Sequence, residues 1–359
     1  MTIEPHEYPM IDGQVCYAKF FKIKDAMHQP TIWVMEGGEL EIWITNLDDH
    51  DHRFKITGVD FLGEVPQFMS KSQTVKYRFT VPPPGSYLYY DDFEDPVNRI
   101  LGLHGALIVL PSFDTRTLKG SPIPYRAPNN VQLHSLFDAL GDPEYKFYPS
   151  EKWNPNPPLW DYRPRDLVWV TSEMDSALAK RVYAGEEVSG SVWASSFTPD
   201  YFMINGVSGF ETAGHDPLPD EKYAYAQLIE PKGFEGQPTM IRCLNAGLAT
   251  HSLHIHGNDV FQLTDTHKVT KAVVVNDNIY ALDVWGMPPM ARKDMLLPFV
   301  RPLDAPVWPM KEEPFPLRYV MHCHCEMSNT AGGGNYPKGM VTHWEMLGTY
   351  EDYKKAKGI

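Results

Sequence analysis

Cysteine is scarce in this chain, and long apolar runs are missing. Only four of the 359 residues are cysteine, and Cys16 and Cys243 stand alone. So few cysteines in a chain of this length exclude a disulfide-based scaffold. No apolar run reaches the length of a membrane-spanning helix, so we expect no insertion into a membrane.

The N-terminus lacks the features of a secretory signal peptide. Residues 1–7 read MTIEPHE, without the basic start and the apolar stretch that such a signal needs. We therefore expect a cytoplasmic location, or a periplasmic one if a leader has been removed.

Basic residues are in the minority. The chain has 32 Lys and Arg against 46 Asp and Glu, which gives a formal net charge of -14 at pH 7. This balance argues against nucleic-acid partners and against docking on anionic membranes, because both need positive charge. Proline and glycine, by contrast, are abundant, with 32 and 26 copies. They favour many turns and few long helices.

Short strand-like segments fill the first part of the chain. Residues 31–46 read as two strands around Gly37 and Gly38, and residues 74–81 alternate polar and apolar side chains. Several short strands with turn signals between them are typical of a β-sandwich or barrel.

A second β-rich region begins near Asp166 and includes a strand that enters an Asn205-Gly206 turn. Between the two regions, residues 131–140 predict a short helix and residues 153–158 a surface linker. We therefore predict an all-β fold with two related domains, at 1–112 and 166–359, joined by a linker at 113–165.

Histidine is concentrated in two segments near the C-terminus. Alternate residues of a β-strand face the same side. If the two segments form neighbouring strands, one face carries four imidazoles, from His254, His256, His322 and His324. The other face carries His251 and Cys323. Imidazole suits copper, and thiolate suits Cu(I) and blue-copper sites, so this pattern predicts copper as the cofactor.

With these motifs the chain resembles the multicopper oxidases, the family of laccases and their two-domain relatives. Further similar segments are residues 85–90 and 102–109, at the end of the first domain, and residues 202–206 and 241–247 in the second. The resemblance implies two cupredoxin-like Greek-key domains. It also implies a homotrimer with copper held between the first domain of one subunit and the last domain of its neighbour.

In that family, four His-x-His pairs hold a three-copper cluster that reduces dioxygen to water. His254/His256 and His322/His324 match two of these pairs, and His50/His52 is a candidate for a third. Residues 48–53 are all charged or ionisable, so that segment is alternatively only a polar loop.

The remaining pair is replaced by Tyr90-Asp91-Asp92, and His104 follows nearby as a further candidate ligand. Two imidazoles are therefore missing, and we expect a one- or two-copper centre rather than a full cluster. Tyr90 and Asp92 would then orient the substrate, with the carboxylate available as a base.

The family's type 1 copper site, which takes electrons from the substrate, is also altered. His251, Cys323 and Met340 match its ligands, but Ser328 and Asn335 stand where the second histidine is expected. We therefore expect little or no blue colour.

Cys325 and Met327 share the strand parity of Cys323 if the strand continues. One hypothesis is a softer Cu(I) site made by His251, Cys323 and Cys325. The alternative is that Cys325 and Met327 are core or loop residues.

The resemblance thus implies a copper-dependent oxidoreductase that oxidises a small molecule with dioxygen, and an aromatic substrate would suit the many Trp and Tyr. The missing ligands leave open a non-catalytic copper-binding protein that buffers or senses copper. A degenerate member kept for assembly is the third alternative.

Overall fold

The computed structural model describes residues 1–23, 31–111, 123–139, 166–212, 229–302 and 313–357. The first part of the chain forms the strands β1 (Thr2–Pro9), β2 (Val15–Lys22), β3 (Ile32–Met35), β4 (Glu39–Asn46), β5 (Phe54–Ile56), β6 (Thr74–Thr80), β7 (Gly85–Asp91) and β8 (His104–Leu110).

The later part forms a larger set of strands: β9 (Asp166–Met174), β10 (Tyr201–Ile204), β11 (Lys232–Gly233), β12 (Thr239–Asn245), β13 (His251–Ile255), β14 (Val260–Gln262), β15 (Thr264–Thr266), β16 (Val273–Val275), β17 (Ala281–Leu282), β18 (Val284–Met287), β19 (Arg292–Leu297), β20 (Leu317–Cys323) and β21 (Val341–Met346).

Helices are short. They are α1 (Val97–Ile100), α2 (Val131–Ala139), α3 (Ser176–Tyr183), α4 (Gly190–Ser196) and α5 (Tyr350–Lys357). None of these helices is long and apolar enough to cross a membrane. Helix α2 confirms the short helix predicted at 131–140, whereas the predicted surface linker at 153–158 lies outside the described residues.

The strands form separate sheets in the two parts of the chain. The first part has two four-stranded sheets, ordered β2-β1-β4-β6 and β3-β8-β7-β5. The second has a six-stranded sheet, β10-β9-β12-β19-β14-β17, a five-stranded sheet, β11-β21-β20-β13-β18, and the small pair β15-β16. No sheet among the described residues combines strands of both parts. The prediction of an all-β fold is confirmed.

Local sequence explains several of these elements. In β6, Val75, Tyr77 and Phe79 are buried while the residues between them are exposed, so the predicted alternation points one face into the core. At the end of β10, Asn205 and Gly206 both have positive φ, which is the geometry of the predicted tight turn.

Two features of the structure go beyond the sequence-based expectation. β3 and β4 flank Gly37 and Gly38 as predicted, but they do not pair with each other: β3 pairs with β8, and β4 pairs with β1 and β6. Helices α3 and α4 interrupt the second β-rich region. Each has an N-cap side chain: Asp175 accepts a hydrogen bond from the Leu178 N–H at the start of α3, and Ser189 accepts one from the Val192 N–H at the start of α4.

A buried polar network joins the two parts of the chain. Asp294 accepts hydrogen bonds from Ser86 Oγ at 2.5 Å and from Tyr125 OH at 2.6 Å, and it lies 3.2 Å from Arg242. Arg242 also binds Asp166 at 2.6 and 3.0 Å. Because both carboxylates and the guanidinium are buried and paired, the network holds the two parts in one relative orientation.

Candidate metal centre

Strands β13 and β20 place the histidines of the two C-terminal segments side by side. In this antiparallel pair, His254 stands opposite His322 and Leu253 opposite Cys323. His256 and His324 follow directly beyond the strand ends. The register therefore puts the four imidazoles on the shared face that strand alternation predicts.

The rings of this His face, defined by His254, His256, His322 and His324, are close together. Centroids are separated by 4.3 Å for His254 and His324, 4.7 Å for His254 and His256, and 5.3 Å for His256 and His322. Ligand nitrogens of His254, His322 and His324 all lie within 4.8 Å of one another. Among the described residues, this is the group whose geometry suits a shared metal ion.

Backbone carbonyls set the tautomers of two of these rings. His254 Nδ1 lies 2.8 Å from the carbonyl oxygen of Asp283, and His322 Nδ1 lies 3.0 Å from that of Cys323. A carbonyl only accepts, so each Nδ1 carries the proton and each Nε2 keeps its lone pair. Burial and the neighbouring histidines lower the pKa of His256 and of His322. Both effects favour the neutral imidazole that binds metals.

His256 is held by contacts behind the His face. Trp344 Nε1 donates to the carbonyl oxygen of His256 at 2.8 Å, and the Trp344 ring stacks on Tyr319 at 5.0 Å. Gly257 follows with a φ of +77°, and a Cβ there would come within 2.8 Å of the Tyr319 ring. The position therefore requires glycine, which lets the chain turn immediately after the last histidine of this segment.

A cavity of about 650 Å³ borders the His face. Its walls include His254, His256, Phe261, Asp283 and Arg301. The cavity combines an aromatic ring and charged groups with two of the four imidazoles, so it gives a small molecule direct access to an ion bound there.

The opposite face of the two strands carries the second candidate site. His251 Nδ1 lies 4.0 Å from Cys323 Sγ, and both residues are fully buried. Cys323 Sγ accepts backbone N–H groups from Ser252 at 3.3 Å and from Cys325 at 3.4 Å. Met340 is also buried, and its carbonyl oxygen accepts the Cys323 N–H at 3.1 Å.

This pair is strongly polarised. Burial works to lower the pKa of His251, but its contacts with Cys323 and Glu173 raise that pKa to about 9. Burial works to raise the pKa of Cys323, but His251 and the two backbone N–H groups lower it below the ordinary value. These contacts favour the thiolate of Cys323, which is the form that binds metals.

The second histidine of a type 1 site is missing here. Ser328 Oγ lies 3.1 Å from His251 Nδ1, so a serine occupies the place beside His251, while Asn335 is exposed. The assumption that β20 continues past Cys323 is wrong. A 3-10 turn, Glu326–Asn329, follows instead and leaves Met327 53% exposed.

Residues 330–337, which follow this turn and include three consecutive glycines, contact the rest of the second domain. Ala331 is buried and bridges to Tyr201, and the Gly332 N–H donates to the carbonyl oxygen of Asp200 at 2.7 Å. Tyr336, in the same segment, lies edge-on to His322 with a centroid distance of 6.0 Å.

His52 sits in a buried charged cluster of the first domain. Its Nδ1 lies 2.5 Å from Asp91 and its Nε2 2.9 Å from Asp48, which also binds Lys19 at 2.6 Å. Burial lowers the pKa of His52, but the two carboxylates raise it above the ordinary value. With a carboxylate at each nitrogen, His52 has no free lone pair. Its role as a ligand stays a prediction that requires one of these contacts to break.

The other candidates of the first domain also have local partners. His50 is 47% exposed and lies 3.4 Å from Asp48, and Asp92 binds Arg53 at 2.5 Å. His104 is buried, its Nδ1 donates to the carbonyl oxygen of Arg99, and burial lowers its pKa to about 4.

In the part of the chain that the structure describes, no residue of the first domain joins the three-histidine group. The structure thus brings together His254, His256, His322 and His324, and separately His251 and Cys323. Cys325 meets the second group through its backbone N–H, while its own sulfur contacts the carbonyl oxygen of Thr250. The roles assigned to His50, His104, Tyr90 and Asp92 stay predictions.

Glu173 was not among the candidates from the sequence. Its carboxylate is fully buried, accepts backbone N–H groups from Leu248 and Ala249, and lies 3.4 Å from His251 Nε2. The one sequence feature linked to Glu173 is Gly247, because a Cβ at that position would overlap the Glu173 carboxylate. A glycine two residues after a strand did not by itself indicate a buried acid.

One known family model matches the N-terminal part of the chain. Residues 8–113 match the family model described as multicopper oxidase. No curated protein matches the chain.

Solved structures share a similar fold with nearly the whole chain. The blue copper oxidase from Nitrosomonas europaea is 17% identical with a TM-score of 0.63, and the multicopper oxidase mgLAC is 20% identical with a TM-score of 0.62. Each alignment covers 96% of this chain and 84% of that chain.

A copper nitrite reductase from Nitrosomonas europaea is 14% identical with a TM-score of 0.56, over 96% of this chain and 93% of that one. At these identities the likeness concerns the fold. The resemblance to multicopper oxidases and the cupredoxin-like all-β fold predicted from the motifs are confirmed.

Proposed function

We propose that this protein is a copper-dependent oxidoreductase that oxidises a small molecule with dioxygen at a non-standard copper centre. The observation that carries the proposal is the convergence of four imidazoles on the His face, three of them with ligand nitrogens within 4.8 Å. The match of residues 8–113 to the multicopper oxidase family model supports the same class of chemistry.

The donor set fits copper. Neutral imidazole is a preferred ligand of copper, and the carbonyl contacts of His254 and His322 leave both Nε2 lone pairs free. His256 Nε2 lies 3.2 Å from His322 Nε2. Without a metal the two nitrogens share one proton in a hydrogen bond, and a single metal ion could bind both in its place. Bound copper would supply one-electron redox chemistry and an open position for dioxygen.

The chain's own groups position the reactants. The cavity brings a small reductant next to His254 and His256, and Phe261 offers an aromatic wall for a planar substrate. Asp283 fixes His254 through its backbone oxygen, and its carboxylate is 62% exposed, so it is free to accept a proton released by a substrate.

We also propose that the protein assembles as a homotrimer. No described residue of the first domain belongs to the three-histidine group, and His50 is partly exposed. A neighbouring copy is therefore the natural source of further ligands. Native mass measurement of the metal-loaded protein tests the trimer, and a monomer with full metal content would contradict it.

The oxidase is tested by metal content and oxygen uptake. We expect copper in the purified, copper-loaded protein and oxygen consumption with phenols or aromatic amines. The double variant His254→Ala/His322→Ala should lose both, whereas His267→Ala, at an exposed turn, should keep both. Nitrite is offered as an alternative electron acceptor, because the fold is shared with a copper nitrite reductase. A protein that keeps its copper but oxidises none of the reductants would contradict the proposed oxidase activity.

A copper buffer or sensor is the second candidate. It is favoured by the proximity of Cys323 and Cys325, since thiolates bind Cu(I) without needing a substrate. Tight copper binding with no oxygen uptake would select this function.

A further inference from the structure

The cavity beside the His face carries more negative than positive charge. Of the described residues that line it, Asp259 and Asp283 are carboxylates and Arg301 is the one permanent cation. We propose that the cavity selects small aromatic compounds that carry a positively charged amino group over aromatic carboxylates. This inference rests on the proposed function, because it names the class of small molecule that the cavity would bring to the metal centre.

Asp283 is held in the wall that also carries His254. Its backbone oxygen accepts hydrogen bonds from His254 Nδ1 at 2.8 Å and from the Ile255 N–H at 3.0 Å. Its carboxylate lies 3.9 Å from His254 Nδ1 and is 62% exposed. In the part of the chain that the structure describes, no lysine or arginine pairs with this carboxylate. It therefore has acceptor positions to offer to a cation on a ligand.

The second carboxylate, Asp259, is placed by a clamp in the cavity wall. Asn258 Nδ2 donates to the carbonyl oxygen of Val300 at 2.6 Å, and the Val300 N–H donates to Asn258 Oδ1 at 3.0 Å. This two-point contact ties the segment that follows His256 to the segment that precedes Arg301. Asp259 comes next in the chain, is exposed, and forms no ion pair with a described lysine or arginine. The wall and its carboxylate are thus in place before a ligand arrives.

Arg301 already has partners for its charge. The central carbon of its guanidinium lies 4.8 Å from the centroid of the Phe315 ring, which is a cation–π contact. Its Nη2 donates to the carbonyl oxygen of Glu313 at 3.1 Å. An aromatic carboxylate would have to compete with these contacts and approach two negative charges. A cation meets the two carboxylates without disturbing Arg301.

Phe261 supplies the aromatic wall. In β14 it pairs with Ala281 on one side and with Leu296 on the other, which fixes its backbone. The face of an aromatic ring packs on another ring and also attracts an ammonium group. An aryl-alkyl ammonium compound therefore matches the cavity with both of its parts. The formal net charge of -14 favours the approach of such a cation.

The experiment compares three matched ligands, 2-phenylethylamine, 2-phenylethanol and phenylacetate, which share one ring and differ in the charge of the tail. Binding to the full chain is measured by calorimetry near pH 7, with dioxygen excluded so that no turnover occurs. We expect the amine to bind about fivefold or more tightly than the alcohol, and the carboxylate to bind more weakly than the alcohol. The preference should be larger after a chelator removes copper, because the metal ion adds positive charge beside the cavity.

Variants assign the preference to the carboxylates. Asp259→Asn/Asp283→Asn should remove it, because the amides keep the shape of both side chains without the charge. Asp60→Asn, at an exposed carboxylate of the first domain, should keep it. A preference that survives in the double variant would overturn the charge selection. So would a preference that disappears with the copper, because the amine would then be binding the metal.

Two further results would also contradict the selection. One is equal affinity of the wild type for the amine and the alcohol, and the other is binding of none of the three ligands. These measurements do not depend on oxygen uptake. Loss of charge selection with active turnover would therefore overturn this inference alone, and charge selection without turnover would overturn the proposed oxidase alone.

Discussion

His254 and His322 stand directly opposite each other in β13 and β20, and the neighbouring residues in register are Leu253 and Cys323. This one pairing separates the two candidate sites. The imidazoles lie on the side that borders the cavity, and the Cys323 sulfur lies on the buried side with His251. Since Cys323 is covalently bonded to both His322 and His324, a change on one face reaches the other through the backbone.

Ser328→His should restore a type 1 copper site. Ser328 already lies 3.1 Å from His251 Nδ1, so an imidazole there would complete the two-histidine, one-cysteine ligand set. We expect an intense blue colour in the Cu(II)-loaded variant and little or none in the wild type, measured by visible absorption. Cys323→Ser added to Ser328→His should remove the colour. A colourless Ser328→His protein that binds copper normally would show that the site cannot be rebuilt.

Trp344→Phe should weaken copper binding at the His face. The indole N–H that fixes the His256 carbonyl is lost, while the stacking on Tyr319 is largely kept. Loss of such a supporting contact typically costs about 10–100-fold in metal affinity. The measurement is Cu(II) affinity by competition, with thermal unfolding as a check on the fold. Unchanged affinity would mean that His256 is held by other contacts or is not a ligand.

His52→Gln should destabilise the protein in a pH-dependent way. The pKa of His52 is raised in the folded state, so its contribution to stability is complete below the unfolded pKa of about 6.5 and is lost as pH rises through the folded value. We expect a loss on the order of 3–5 kcal/mol near pH 6 that shrinks at higher pH. Urea unfolding of both proteins across this range measures it.

A metal role for His52 would give a different result. If His52 is a copper ligand in the loaded protein, His52→Gln should reduce copper content. If His52 is only the centre of the Asp48–His52–Asp91 cluster, the copper content of His52→Gln should equal that of the wild type at temperatures where both proteins are folded.

Asp294→Ala should destabilise the junction between the two domains. The substitution leaves the buried Arg242, Ser86 and Tyr125 groups with fewer partners, and removing one member of a buried charged pair costs about 3–5 kcal/mol. Denaturant unfolding measures the loss. Asp259→Ala, at an exposed carboxylate, should stay within about 0.5 kcal/mol of the wild type. Equal stabilities for the two variants would contradict the role of the network.

Much of the His face was predictable from the sequence because strand alternation is a local property. His254 and His256, or His322 and His324, need only extended backbone to share a side. The extension of that reasoning to Met327 failed because β20 ends at Cys323 and a 3-10 turn follows. A strand end depends on whether a neighbouring strand continues to offer hydrogen bonds, and residues 323–327 do not reveal that.

The sequence by itself determined the all-β architecture, the two groups of candidate metal ligands and the missing second histidine beside Cys323. These follow from residue type and spacing along one chain. Only the tertiary structure decided that Glu173 stands behind His251, that Asp48 and Asp91 enclose His52, and that a cavity opens beside His254. Each of these contacts joins residues distant in sequence, and packing between strands, rather than any local preference, brings them together.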